Sequence, residues 1–208
     1  VATSAFRDTA NSEDARRYIE TAINHPLKII SGLEEAQLMR FHPKSSTGKK
    51  KIFVDLGGGS TEFFFRDENG IEIRSFQLGA VRNMLGKDQR KEWIRMEEWL
   101  KTIKPRKKLI GIGGNIRSFL QAHNKKEMGV KSFNKKAKEL ACIGTKEKIA
   151  KFNFSPDRAD VIDHALNIFT FIATHLEVET VTSTKWGVSD SVGVKLFHEI
   201  YSNKINIL

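Results

Sequence analysis

The sequence predicts an α/β fold: a mixed sheet flanked by helices, with elements in the order β-β-β-α-β-α-β-α from residue 51 onward. Three observations carry that reading. Apolar residues at 52–56 and 63–65 bracket three consecutive glycines, Gly57, Gly58 and Gly59, so a glycine turn joins two strands. Asn69-Gly70 is a hairpin dipeptide, and residues 71–76 after it alternate apolar and polar. Beyond residue 79, helical periodicity alternates with short apolar strands at 107–111 and 179–184. Three antiparallel strands followed by strand–helix alternation is neither a Rossmann alternation nor an eight-fold barrel.

The N-terminal elements come first. Residues 1–4 read as the end of a strand. Ser12 is a suitable N-cap, with Glu13 and Asp14 in the first turn of a helix that runs to about residue 24. Pro26 stops it. Residues 27–30 read as a short strand, and Ser31-Gly32 turns into a helix with Ala36, Leu38 and Met39. Glu34 and Glu35 lie in its first turn, where the helix dipole favours acids. Residues 42–51 read as a solvated linker ending in a lysine run, Lys49 to Lys51. Without interleaved aromatics that run predicts no specific nucleic-acid partner.

After the three-strand meander, Gly79 opens a helical region, and Trp93, Met96, Leu100 and Ile103 mark an amphipathic helix over 88–103, ended by Pro105. Residues 112–115 form a second glycine turn, with a helix over 116–123 behind it. Residues 125–151 are basic and helical, with Phe133, Ala137 and Leu140 at helical spacing, and read as an insertion near 125–155. Ser155 and Pro156 open a long helix with acids in its first turn. His164 and His175 fall on or near its apolar face and have no partners at zinc spacing, so they are read as structural. Trp186-Gly187 turns into a last helix over 189–201.

The first glycine turn carries the chemistry. Three glycines in a row cost conformational entropy, which a chain tolerates where its backbone must approach something closely. Successive free N–H groups in such a turn form an anion-binding concavity. Ser60 and Thr61 add hydroxyl donors. Asp55 and Glu62 flank the turn and would repel phosphate on their own. They fit if a hard cation such as Mg²⁺ sits between carboxylate and phosphate, or if one of them handles a water. No Lys follows the glycines and no helix opens there, which excludes the P-loop and the dinucleotide fingerprint. The second turn, Gly113, Gly114 and Asn115, offers N–H groups at a helix start, which suits an anion or nucleotide, although a tight strand–helix turn accounts for it equally.

Composition sets the bounds. The 208 residues are 39% hydrophobic and 29% charged, enough for one sizeable core or two small ones. The formal net charge of +10 suits a polyanionic partner. A single cysteine, Cys142, precludes an internal disulfide and agrees with a reducing compartment, so a cytoplasmic location is expected. No apolar run approaches the ~18 residues of a membrane span, so no membrane partner is expected. The 88–103 and 157–175 helices are where a homodimer would form, with no residue pattern in its support.

Taken together, the motifs resemble the exopolyphosphatase/guanosine pentaphosphate phosphohydrolase (Ppx/GppA) family. The matching segments are residues 2–8 with Asn11 (A-T-S-A-F-R-D), 30–36 (I-S-G-L-E-E-A), 54–62 around the glycine loop, 76–82 (F-Q-L-G-A-V-R), 111–115 (G-I-G-G-N) and 157–160 (D-R-A-D). Six segments in order over nearly the whole chain are far more specific than any one. The element order likewise resembles the ribonuclease-H-like half of the actin and hexokinase class. The resemblance implies two actin-like domains with the active site between them. Residues 1–44 are then the remainder of the first domain and 45–208 the second. It also implies Mg²⁺-dependent release of terminal phosphate from inorganic polyphosphate or from pppGpp, with guanosine penta- or tetraphosphate as ligands. Glu35 is implied as the general base, Asp55 and Glu62 as metal or water supports, Gly57, Gly58, Gly59 and Ser60 as the phosphate loop, and Arg7 as a phosphate contact.

There are departures. The family's first phosphate loop is missing from the sequence, so the chain is expected to start part-way through the first domain and this piece to be inactive alone. Ser189, Asp190 and Ser191 stand where the family carries R-E-G, which removes a basic residue. The C-terminal domain that longer polyphosphatases carry is not expected here. Two rival readings remain beside the hydrolase: a non-catalytic phosphate- or nucleotide-binding module, and an ATP-dependent phosphotransferase of the actin-like class, for which no catalytic Asp or acceptor pocket is evident.

Overall fold

A computed structural model describes residues 1–45, 48 and 50–205, the last four by their backbone alone. The 42–51 linker falls partly outside it: Ser46, Thr47 and Lys49 of that stretch lie outside the described residues. Six strands form one mixed sheet: β1 (Lys51–Leu56), β2 (Thr61–Asp67), β3 (Gly70–Phe76), β4 (Lys108–Ile112), β5 (Glu127–Gly129) and β6 (Thr180–Ser183), in the order β3-β2-β1-β4-β6-β5. The first three form the expected antiparallel meander, and β1, β4 and β6 run parallel. This is the actin-like, ribonuclease-H-like arrangement. Its helices are α1 (Ser4–Asp8), α2 (Ser12–Ile23), α3 (Gly32–Leu38), α4 (Ala80–Met84), α5 (Arg90–Thr102), α6 (Gly114–Ala122), α7 (Val130–Ala141), α8 (Thr145–Phe152), α9 (Pro156–His175) and α10 (Val188–Ile205).

Strand alternation divides the sheet into two unlike faces. Ile52, Val54 and Leu56 of β1, Phe63 and Phe65 of β2, Phe76, Leu109 and Val181 point to one side and join the main core with α5, α6, α7 and α9. Trp99 of α5 packs against Phe63, Phe65 and Phe76 there. Fully burying one such aromatic contributes about 2–3 kcal/mol. The other face carries Phe53, Phe64, Ile110 and Ile112, covered by Ala36 and Met39 of α3 and the turn after it. This second core is small because the same face becomes polar toward the glycine turn.

Several boundaries differ from expectation for local reasons. Residues 27–30 make no strand; a single parallel bridge joins Ala2 to Ile29. Residues 1–4 do not close a strand either, because Ser4 already opens α1. Asn11, not Ser12, is the N-cap of α2. The insertion holds a three-residue strand, β5, antiparallel to β6 at the sheet edge, ahead of its helices. Three residues with one apolar side chain, Met128, are too few to show a period of two.

Arg106 fixes the far end of the meander. It is buried, lies 4.0 Å over the Phe65 ring, and donates from Nη2 to Asp67 Oδ2 at 2.9 Å. Removing the partner of a buried charge is far costlier than breaking an exposed pair. Asp67 keeps partial solvent access, so Asp67→Ala should lower unfolding stability by about 1–3 kcal/mol in urea titrations. It should leave anion binding at the other end of β2 unchanged.

Candidate active site

The site stands where the polar end of the α3 face meets the glycine turn. Asp55 and Glu62 are a directly opposed pair in the β1–β2 ladder. Alternation from Phe53 and Phe64 places both carboxylates on the α3 side of the sheet. Ser31 starts α3 with a capping box: its hydroxyl accepts from Glu34 N at 3.1 Å, and Glu34 Oε2 accepts from Ser31 N at 2.8 Å. The Glu34-Glu35 pair is thereby divided. Glu34 caps the helix and faces solvent beside Lys28, whereas Glu35 turns inward and is 9% exposed.

Three carboxylates therefore gather with one nearby cation. Arg7 Nη1 lies 3.5 Å from Glu35 Oε2, and Nη2 donates to Ser60 Oγ at 3.3 Å. Glu35 Oε2 is buried without a hydrogen bond. Burial raises the Glu35 carboxyl above the usual range, and Arg7 opposes the rise. Burial, reinforced by the charge of Glu35, pushes Asp55 up to about 7. Glu62, 1% exposed, is raised well above its ordinary value by burial, then by Glu35 and Asp55; hydrogen bonds from Ser60 and Ser75 oppose this. Ser75 Oγ donates to Glu62 Oε1 at 2.9 Å.

The loop itself is clamped from outside. Gly57 N donates to Ser60 O at 3.0 Å, closing the turn. The first amides of α4 then bind the loop carbonyls: Ala80 N to Gly57 O, and Val81 N and Arg82 N to Gly58 O. Arg82 Nε donates to Gly59 O at 2.9 Å, and its Nη2 pairs with Asp8 of α1. With the carbonyls held, the N–H groups of Gly58 and Gly59 take no hydrogen bond among the described residues. They are the donors an anion would use.

Two of the expected phosphate contacts are corrected. Thr61 sits on the main-core side of β2, fully buried, and its hydroxyl donates to Leu78 O at 2.6 Å. The alternation that turns Glu62 toward α3 turns Thr61 away from it. The Gly57 N–H is likewise spent on closing the turn.

Gly113 brings the second turn to the first. Its φ of +103° is the left-handed backbone that favours glycine, and a Cβ there would lie 3.3 Å from Leu56 O and 3.8 Å from Asp55 Oδ1. Asn115 is buried, and its Oδ1 accepts from Arg158 Nη1 of α9. A Cβ on Gly114 would overlap the Arg158 guanidinium. The turn is thus held by Arg158 and lines the Asp55 side of the site. Arg82, Asp8, Ser75 and Arg158 were not singled out as site residues from sequence. Asp8, Arg82 and Arg158 lie within the matching motif segments, but their roles come only from contacts across distant segments.

Mg²⁺ suits this donor set. It takes one or two protein carboxylates and leaves the rest of its octahedron to water and phosphate. No group of three or more residues arranged as a protein cage is present among the described residues. Asp55 and Glu62, both raised chiefly by burial and then by the charge of Glu35, are the carboxylates that could hold it.

The fold and these features define an actin-like protein with a carboxylate-framed glycine loop. The chain belongs to the Ppx/GppA phosphatase family, whose sequence model matches residues 1–199. An Aquifex aeolicus member of that family superposes with a TM-score of 0.74 at 23% identity, over 95% of this chain and 73% of that one. An exopolyphosphatase from Cytophaga hutchinsonii gives 0.78 at 20% identity, over 96% and 73%. At these identities the structures testify to the fold.

Two outcomes are expected. A Cβ on Gly79 would fall 2.5 Å from Gly58 O, so Gly79→Ala should displace the clamped loop. Calorimetry should show anion affinity reduced about tenfold or more, with a stability cost of about 1–3 kcal/mol. The second outcome concerns pH. The folded state keeps a proton on Asp55 up to about 7, while the unfolded chain releases it near 4. The folded state therefore binds more protons across that window, and this residue's contribution lowers stability as pH rises through it. Asp55→Asn removes the penalty. Metal-free Asp55→Asn protein should be more stable than wild type at pH 8, by about 1–4 kcal/mol, and nearly equal to it at pH 4.

Proposed function

We propose that this chain carries the catalytic half-site of a phosphoanhydride hydrolase that releases terminal orthophosphate from inorganic polyphosphate or from pppGpp. The observation that carries the reading is Glu35: a nearly buried carboxylate with an unbonded oxygen, on a capped helix, facing the carboxylates beside the glycine loop. A raised, unbonded carboxylate is a stronger base than a solvated one and has room to accept a proton from water. A kinase would need a polar acceptor pocket at this point, whereas the cavity beside Glu35 is lined mostly by apolar residues such as Phe6, Ile19, Leu27 and Val192.

In this reading Gly58 N–H, Gly59 N–H and Arg7 bind the phosphoryl oxygens, and the Ser60 hydroxyl, which accepts from Arg7 and is bonded to Glu62, positions both. Arg7 is preset for it, held by Ile30 O and Ser60 Oγ. Donors and charges aimed in advance at developing charge, backbone N–H groups among them, are the main source of stabilisation in phosphoryl transfer. Asp55, with Glu62, would hold Mg²⁺, which when bound neutralises phosphate charge and orients the leaving group. Glu35 takes the proton of the attacking water. Ser75 keeps Glu62 oriented through its hydrogen bond. Polyphosphate and pppGpp both end in the phosphoanhydride this site addresses.

Glu35→Gln should lower orthophosphate release by about 10²–10⁴ while the loop still binds phosphate. Wild-type rate should fall on the acid side at a pH above the ordinary glutamate range, because the base must be ionised and its pKa is raised. The Gln variant should lose that limb. Release of orthophosphate at the wild-type rate by Glu35→Gln would overturn the assignment. Long-chain polyphosphate, pppGpp and ATP assayed side by side decide the substrate.

A further inference from the structure

The chain's charge is not spread evenly. Residues 125–151 hold nine lysines against three glutamates, a net +6 of the chain's +10. They build β5, α7 and α8. On α7, Phe133, Ala137 and Leu140 are buried against the core. Lys131, Lys135 and Lys138, spaced four and three residues apart, occupy the opposite side and are exposed. Their Cα atoms step about 6 and 4.5 Å along the axis. Lys125, Lys126, Lys146 and Lys151 add exposed cations at the ends of the same lobe.

Most of these lysines lack the carboxylate that several lysines elsewhere have, although Lys148 pairs with Asp163. Lys28, Lys101, Lys104 and Lys195 each sit against a carboxylate. In the lobe, Glu127 is engaged by Lys108 of β4, and Glu139 lies 3.9 Å from Lys135. Among the described residues, Lys131, Lys138, Lys146 and Lys151 have no carboxylate in ion-pair reach. Clustered like charges repel and do nothing for the fold, since the buried face alone holds α7. α7 and α8 both pack on α9, whose first turn carries Arg158 at the second glycine turn. One rigid helix therefore joins the lobe to the site.

We propose that α7 and α8 form an accessory surface that binds a linear inorganic polyphosphate chain, outside the residues that do the chemistry. This rests on the hydrolase reading for the identity of the polyanion. Lysine suits it: a compact point charge that attracts phosphate without demanding a shape. The lobe lacks what a nucleic acid would add. Phe133 and Phe154 are buried, and Phe152 stacks on Phe154, so among the described residues of the lobe no free aromatic platform faces solvent.

The test is equilibrium binding of long-chain polyphosphate to the intact protein from about 50 to 200 mM salt. Wild type is compared with the Lys131→Gln/Lys135→Gln/Lys138→Gln triple variant and the matching Lys→Arg triple. The Gln triple should bind about tenfold more weakly, with the slope of log affinity against log salt reduced by about two to three. The Arg triple should keep both. Wild-type affinity and slope in the Gln triple would overturn the proposal. So would a larger loss for a single-stranded oligonucleotide than for polyphosphate. Orthophosphate release by the wild type, read in the same samples, separates the two claims. Binding through the lobe without release keeps the surface and, in protein that also carries the first phosphate loop, refutes the hydrolase. Release with an unaffected Gln triple refutes the surface alone.

Discussion

The organising constraint is repulsion among three carboxylates, Glu35, Asp55 and Glu62, on one end of a sheet face. Left alone, such a cluster would open or stay protonated. Here it is held shut by packing farther along the same face, where Ala36 and Met39 lie on Phe53, Phe64, Ile110 and Ile112. The apolar half of α3 thus sets the position of its acidic residue. A capping box fixes the start of that helix, and Arg7 supplies a cation beside Glu35. The cluster costs stability at neutral pH, and on the hydrolase reading a divalent cation held by Asp55 and Glu62 would relieve that cost.

The glycine loop follows the same logic with opposite polarity. A turn can present N–H groups only if its carbonyls are satisfied elsewhere. The first amides of α4 and the Arg82 guanidinium do this, and Asp8 holds Arg82 in place. Asp8 belongs to α1, so the N-terminal segment and the sheet are joined through the loop as well as through α3. Donors on one side and carboxylates on the other leave a charge gradient across the site that suits phosphate with a counter-cation.

Most of the sheet order was legible because its signals are periodic or terminal: a glycine turn between apolar runs, Asn69-Gly70, and Pro156 at a helix start. Asp55, Glu62 and the loop glycines were legible as a site because glycines and carboxylates together have no simple packing role. Glu35 was legible only through the resemblance, since its neighbour Glu34 has the same local setting and a wholly different fate. The capping signal Ser31-x-x-Glu34 was present and would have separated them. Thr61 was misassigned because a hydroxyl beside a glycine turn looks like a ligand donor; counting alternate residues from Phe63 and Phe65 places it in the core. Arg82, Asp8 and Arg158 act across 74 and 43 residues of sequence, and no local pattern marks such pairs.

Charge separation within the chain follows from these placements. The carboxylates are confined under α3, where burial keeps their effect short-ranged, and the excess lysines lie on helices across α9. A polyanion approaching from solvent meets the lysine field first, because exposed charges act out to about a Debye length while the buried acids are partly neutralised by protonation. A uniform surface of the same net charge would attract the polyanion equally everywhere. A lobe that shares α9 with the second glycine turn instead concentrates it on one side of the molecule. The position of Arg158, between lobe and site, is then more than a packing detail: it holds the turn that faces Asp55 from the same helix on which the basic helices rest.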